Sequence, residues 1–260
     1  MKSPMLPFVE SFSRKEKILL SMSDTNVSIF PDEGFPCLMT HENKFLKLAG
    51  NRLPWAFGIS EEILEKTKSV PPFEARKHTI LRNFRPSANQ DIRNLLDLSF
   101  VEILEKHLPV DRFIGNDHFE RLLGVTGCIA YGGAISVDYN ANPYYAQNDN
   151  YKYCRDRSDY KRPTVIVRWD SWRFWESLAS GCLTFQLDFE KYGFLLPEMP
   201  EPWKHYIPVD IADPAGSVER FMDSRRSWAE IAHGGRAWAL EHYSPAACAQ
   251  RLLGLLCQAG

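Results

Sequence analysis

Residues 164–187 read TVIVRWDSWRFWESLASGCLTFQL, and three changes of composition inside them decide the fold class. Thr164 to Val167 is a β-branched apolar run, the ten residues from Ser171 to Ser180 suit a helix, and Cys182 to Leu187 is a second apolar run. Strand, helix and strand in so short a span predict a parallel βαβ crossover. Gly181 supplies the positive φ that stops the helix. On that helix Trp172, Trp175 and Ala179 share one face and Phe174 and Leu178 another. Arg173 and Glu176, three apart, point together. Two readings of the pair are open: an ion pair on a solvated face, or part of a concave binding site lined by the neighbouring aromatics.

Working outward, the downstream chain reads Trp203-Lys204-His205-Tyr206-Ile207-Pro208-Val209-Asp210, a further strand with its approach. Ser217 to His242 predicts a long helical stretch interrupted at Gly234-Gly235, and Ser244-Pro245 opens a last helix with proline in its first turn. Upstream, His78 to Leu81 predicts a strand, then the loop Arg82-Asn83-Phe84-Arg85-Pro86, then an amphipathic helix from about Ser87 to Leu108. Strand, loop and helix start in that order form an anion site when a ligand lies near. Arg82 and Arg85 would supply planar donors to a diphosphate there, or are simply solvated. A short helix over His118–Leu123 and a strand over Cys128–Tyr131 follow, closed by Gly132-Gly133.

Between Ile135 and Arg162 the composition turns to Asn, Asp, Tyr, Lys and Arg. Its tyrosines at 139, 144, 145, 151, 153 and 160 suit either a binding loop that stacks on a base or sugar or an insertion packed on the surface. The first 70 residues hold strand-like runs at Lys17–Met22, Asn26–Phe30 and Pro54–Gly58, a possible helix at Lys44–Leu48 and a helix capped by Ser60. Val70-Pro71-Pro72 breaks the chain, which divides it into residues 1–72 and 73–260.

The whole set resembles the GT-B glycosyltransferases, exostosin-like and bacterial lipopolysaccharide-type enzymes in particular. Arg173-x-x-Glu176-x-Leu178-Ala179-Ser180-Gly181-Cys182 looks like the signature of their carboxy-terminal half, and the likeness continues through Trp203–Asp210 and the terminal helices, from roughly Arg76 onward. It implies an α/β fold: a Rossmann-like, mostly parallel sheet with flanking helices, residues 73–260 binding a nucleotide sugar and residues 1–72 forming a reduced amino-terminal part. It implies Glu176 on the ribose hydroxyls, Arg82, Arg85 and Arg173 on the phosphates, and Trp169, Asp170 and His205 lining the pocket. The base would come from the amino-terminal part, where Asp24, Asp32, Glu33 and His41 stand near strand ends and are otherwise ordinary turn or capping residues. With no Asp-x-Asp motif, the expectation is metal-independent transfer to a glycan or lipid-linked acceptor, with no cofactor beyond the donor. A binding module that has lost catalysis and acts with a partner subunit, and a nucleotide-sugar epimerase, are the competing expectations.

Composition narrows the classes. Thirty-one Lys and Arg against 33 Asp and Glu give a net charge of −2, so no overall basic field gathers nucleic acid. Six cysteines, at 37, 128, 154, 182, 248 and 257, show no metal-ligand spacing and read as buried free thiols. No signal-peptide core and no apolar run of about 20 residues is evident, so no transmembrane segment is expected. The expected location is the cytoplasm, or the inner membrane face through a partner or a lipid acceptor. A homo-oligomer remains compatible.

Overall fold

The computed structural model describes residues 18–22, 36–45, 51–85, 91–115, 117–136 and 165–259. β1 (Leu19–Ser21), β2 (Cys37–Met39) and β3 (Arg52–Pro54) make a parallel three-stranded sheet in that order. The run expected at Pro54–Gly58 is a strand only up to Pro54. Gly58, at φ +68°, then turns the chain into α1 (Glu61–Lys66), whose start is capped by the Ser60 hydroxyl accepting from the Ile63 N–H at 3.2 Å. Of Lys44–Leu48, Lys44 and Phe45 form a turn; the rest, and Asn26–Phe30, lie outside the described residues.

β4 (Lys77–Leu81) begins the larger sheet. After it come α2 (Asp91–Leu96), a π-helical turn over Asp97–Val101, α3 (Glu102–Leu104), β5 (Val110–Asp111), α4 (His118–Gly124) and β6 (Val125–Ile129). The helix expected from Ser87 thus carries a π turn, and residues 86–90 lie outside the described set. β7 (Ala134–Ser136) and β8 (Val165–Val167) pair with each other antiparallel. α5 (Trp172–Ala179) leads to β9 (Leu183–Leu187), α6 (Phe189–Tyr192), β10 (Ile207–Val209), α7 (Pro214–Asp223), α8 (Trp228–Tyr243) and α9 (Pro245–Ala259).

The five-stranded sheet is parallel throughout, in the order β10-β9-β6-β4-β5. This is a Rossmann-like α/β architecture, and the two faces are covered, since β6, β9 and β10 are buried at every position. One expectation is corrected. Val165–Val167 and Leu183–Leu187 are both strands with a helix between them, but they do not belong to one sheet. The crossover into β9 starts from β6, and the β7–β8 hairpin is an excursion within it. Apolar periodicity specifies a strand without specifying its partner.

A second correction concerns Gly234-Gly235, which do not break α8. The helix runs through them because a Cβ at 235 would sit 2.2 Å from the His205 carbonyl oxygen, and one at 234 would sit 2.5 Å from that of Lys204. The glycines let the helix lie directly on the chain that enters β10. The helical stretch is broken instead at Ser224–Ser227, a 3-10 turn in which Trp228 stacks on Phe221 at 4.5 Å and donates its indole N–H to the Phe221 carbonyl at 3.1 Å.

Most of the core is one cluster that joins Ala56, Ile59 and Ile63 to residues of both sides of the large sheet. The expectation of uniformly buried thiols holds for Cys37, Cys128 and Cys182. Cys248 is half-buried and Cys257 exposed, because α9 packs along its first turns only, and Cys154 lies outside the described residues.

Candidate functional site

In spatial order the five parallel strands run second, first, third, fourth, fifth along the chain, so the connections leave in opposite directions between β4 and β6. The crevice outside the carboxyl ends of strands at such a switch point is where open α/β sheets bind ligands. Here it is bounded by Arg82–Arg85 after β4 and Ala130–Gly133 after β6.

Arg82 is buried and its guanidinium is engaged on every side. Nε donates to Asp97 Oδ1 at 3.0 Å, Nη2 to the other carboxylate oxygen, and Nη1 to the Phe84 carbonyl. It also stacks on the Phe84 ring at 4.0 Å. The structure therefore places Arg82 as the brace of the loop. Asp97 reaches it from the π turn. Arg85, on the same loop, is exposed. Asp91 opens α2 with Oδ2 accepting from the Ile135 N–H at 3.3 Å, and burial raises its carboxyl above the usual range.

α5 brings the chemistry to this edge. Ser171, in extended conformation, donates its hydroxyl to the Ala130 carbonyl at 3.0 Å, which pins the helix start over the end of β6. Phe174, Trp175, Leu178 and Ala179 face the core, leaving Arg173 and Glu176 half-buried on the other side. Arg173 Nε donates to the Asn83 backbone carbonyl and to its side-chain Oδ1, both at 3.1 Å. Glu176 Oε1 lies 3.3 Å from His118 Nε2, at the start of α4. The expected pair thus splits between two partners, and four polar side chains, Asn83, His118, Arg173 and Glu176, converge from three segments that all begin or end at the same edge.

The far end of α5 is held as firmly. Gly181 takes φ +65° as expected. Buried Arg76 donates Nη1 to the Ser180 and Gly181 carbonyls at 2.8 and 2.9 Å, and Arg236 Nε donates to the Ala179 carbonyl at 2.9 Å. Two cations on the last carbonyls suit the negative end of the helix. An open cleft of about 390 Å³ between α1 and α8, lined by Glu61, Glu65, Lys68 and Arg236 among others, belongs to that end and not to the crevice.

The remaining expected residues fall elsewhere. Trp169 is fully buried, stacked on Phe194 at 4.6 Å, with its indole N–H on the Glu42 carbonyl at 3.1 Å. Asp170 is buried and accepts at 2.8 Å from both the Phe57 N–H and the Trp175 indole N–H. Its own N–H donates to His41 Nδ1 at 3.0 Å. His41, buried with φ 61°, is thereby part of a latch between the carboxyl end of β2 and the start of α5. His205 precedes β10, so it sits at the amino edge, opposite the crevice; it stacks on Trp238 at 5.6 Å and Nδ1 accepts from the Glu201 N–H at 3.0 Å. Asp24, Asp32 and Glu33 lie outside the described residues. Asn83 and His118 were not among the expected residues. Asn83 follows a strand end and His118 opens the helix before β6, so counting strand and helix alternation places both at the carboxyl edge.

Among the described residues no helix is long and apolar enough to cross a membrane, and no group of three His, Cys, Asp or Glu is placed to hold a metal ion. No family model and no curated protein matches the chain. Among solved structures it is similar to an alpha-glucosyltransferase in complex with UDP and a 13-mer DNA containing a HMU base, at a TM-score of 0.44 and 10% identity, over 86% of this chain and 70% of that one.

Proposed function

We propose that the chain binds a nucleotide sugar in the crevice between β4 and β6 and transfers the sugar to a glycan or lipid-linked acceptor. The observation that carries this reading is the meeting of Asn83, His118, Arg173 and Glu176 at the switch point. The resemblance of the Arg173–Cys182 segment to the GT-B signature supports it. Among the described residues Arg173 uses only its Nε, which leaves both Nη groups for a diphosphate, with exposed Arg85 as a second donor. Glu176 would accept from the ribose hydroxyls while His118 bounds it on the other side. In transfer the bond from the sugar's anomeric carbon to phosphate breaks and one to the acceptor oxygen forms. The diphosphate leaves with its charge met by the arginines, and the acceptor proton passes to a base. Asp24, Asp32 and Glu33 remain candidates for that base. Buried His41 suits the latch better, and if none of them serves, the chain is a binding module acting with a partner subunit.

A thermal-shift panel of UDP, GDP, ADP, CMP and their sugars tests the donor site. A ligand at about 100 times its dissociation constant adds roughly 2.7 kcal/mol. One nucleotide family should raise the midpoint of the wild type by several degrees, and Glu176→Ala should abolish that rise without changing the ligand-free midpoint. Flat curves for the wild type, or equal shifts for both proteins, would overturn the assignment.

A further inference from the structure

Trp172 opens α5 directly beside Arg173, yet it is 45% exposed where the next two aromatics of the helix, Phe174 and Trp175, are fully buried. One residue along a helix turns a side chain by about 100°, so Trp172 diverges from the Arg173 side and meets the amino-terminal part instead. There Phe57, in the loop between β3 and α1, lies parallel to it at 5.0 Å and 12°. Phe57 is itself fixed, because its N–H is bound by buried Asp170 at 2.8 Å, and the same carboxylate holds the Trp175 indole. The result is an indole backed on one face, anchored through a buried carboxylate and still open to solvent.

We infer that the face of Trp172 turned away from Phe57 is a saccharide platform that takes a pyranose ring of the acceptor. A pyranose has an apolar C–H face and a rim of hydroxyls. A platform one ring wide, flanked along the helix by Ser171 and Arg173, matches that shape and polarity. A lipid tail or an apolar protein surface would ask for a contiguous apolar patch of several hundred Å². A nucleobase would also stack on an indole, and Glu176 follows Trp172 by one helical turn; the indole, however, is seated against Phe57 while the Arg173 guanidinium turns to Asn83, and the separate nucleotide titration distinguishes the two occupants. The role as acceptor platform rests on that donor-site reading; the saccharide contact itself does not.

The test is titration of the full chain with methyl glycosides of glucose, galactose, mannose and N-acetylglucosamine and with their trisaccharides, read by saturation-transfer NMR and calorimetry, beside a separate titration with the nucleotide panel. Trp172→Ala should weaken saccharide binding by about tenfold or more, Trp172→Phe should hold it within about threefold, and Phe57→Leu should fall between them. Nucleotide affinity should be unchanged in all three. Unchanged saccharide affinity in Trp172→Ala, no saccharide bound by the wild type, or an equal loss of nucleotide affinity would each overturn the platform. Saccharide binding that depends on Trp172 in a protein that binds no nucleotide would leave the platform standing and remove the donor site.

Discussion

Replacing Gly235 by alanine and Gly254 by alanine makes the same chemical change in two helices, and the structure demands opposite signs. On its own, Gly to Ala in a helix interior stabilises by about 1 kcal/mol. At Gly254, on the exposed side of α9, an added methyl meets nothing within 4 Å, so a gain of roughly 0.5 to 1 kcal/mol is expected there. At Gly235 the methyl would stand 2.2 Å from the His205 carbonyl oxygen and 2.9 Å from Leu178 Cδ2. A carbon and a carbonyl oxygen settle at about 3.3 Å or more, so α8 must retreat by about 1 Å from backbone that cannot rotate away. That opens the contacts of Trp238 with His205 and with Trp175, at 5.6 and 6.1 Å. Overpacking of this kind costs about 1 to 3 kcal/mol, occasionally more. A 2.2 Å contact with backbone belongs at the upper end of that range, about 3 kcal/mol, so that after the helix gain of about 1 kcal/mol the net loss is about 2 kcal/mol. For a chain of this size that lowers the midpoint by about 4 to 8 °C, while Gly254→Ala raises it by about 1 to 3 °C. Urea unfolding and calorimetry of both variants decide it: a Gly235→Ala protein as stable as the wild type, or two shifts of the same sign, refutes the close approach of α8 to the chain entering β10.

Three further outcomes are expected. Asp170→Asn keeps the shape but turns one acceptor into a donor facing an N–H. With two hydrogen bonds to a buried carboxylate at stake, the loss in urea unfolding should be about 2 to 4 kcal/mol, and a change under about 0.5 kcal/mol would remove the latch. Burial, with Lys204 beside it, holds the His205 imidazole below its ordinary value. The folded state therefore favours the neutral ring, and this contribution is fully present above about pH 6.5 and lost as pH falls through the lowered folded value. His205→Gln should flatten the stability profile just below about pH 6.5, and parallel profiles would contradict the assignment. Burial pushes the Cys182 thiol up to about 12 and that of Cys128 well above its usual range, so mass spectrometry after limited alkylation should find Cys257 modified before Cys248, and Cys128 and Cys182 spared until unfolding. Modification of Cys182 at the rate of Cys257 would show that the β6–β9 region opens in the native state.

Element types were largely legible because they follow from local period and capping: the Ser60 cap, the Gly181 stop and the strands around β4, β9 and β10 stand where the residues place them. Partnership was not legible. Val165–Val167 has the composition of a buried strand whichever strand it joins, and its partner Ala134–Ser136 lies across a long polar stretch that carries no pairing signal. Gly234-Gly235 was ambiguous for a different reason. Glycine marks a helix break and also a close approach, and only the backbone of Lys204 and His205 above the helix distinguishes the two. For the site, an Arg and a Glu three apart were correctly placed on one short helix, but their partners, Asn83 and His118, are 90 and 58 residues away. Trp169, Asp170 and His205 share the polar or aromatic character of pocket residues, and burial separates them from Arg173.

The hairpin that displaces the simple crossover also explains why the crevice is ordered. A direct link from β8 into α5 within one sheet would start the helix beside its own strand. Because β7 and β8 leave the sheet and return, residues 168–171 cross the carboxyl edge, and the Ser171 hydroxyl reaches the Ala130 carbonyl just after β6. The first turn of α5 then lies above the switch point, within reach of Asn83. Three sets of buried and half-buried polar contacts fix that helix: Ser171 on Ala130 at the start, Asp170 with Phe57, Trp175 and His41 at the flank, and Arg76 with Arg236 on the final carbonyls. Inside, the Ser177 and Thr184 hydroxyls join it to β9 at 2.8 Å. Arg173 and Glu176 consequently project from a rigid element and not from a loop, the arrangement that holds binding groups within a fraction of an ångström of a working geometry. The same reasoning assigns the many buried polar residues around α5 a role in aiming two half-buried ones.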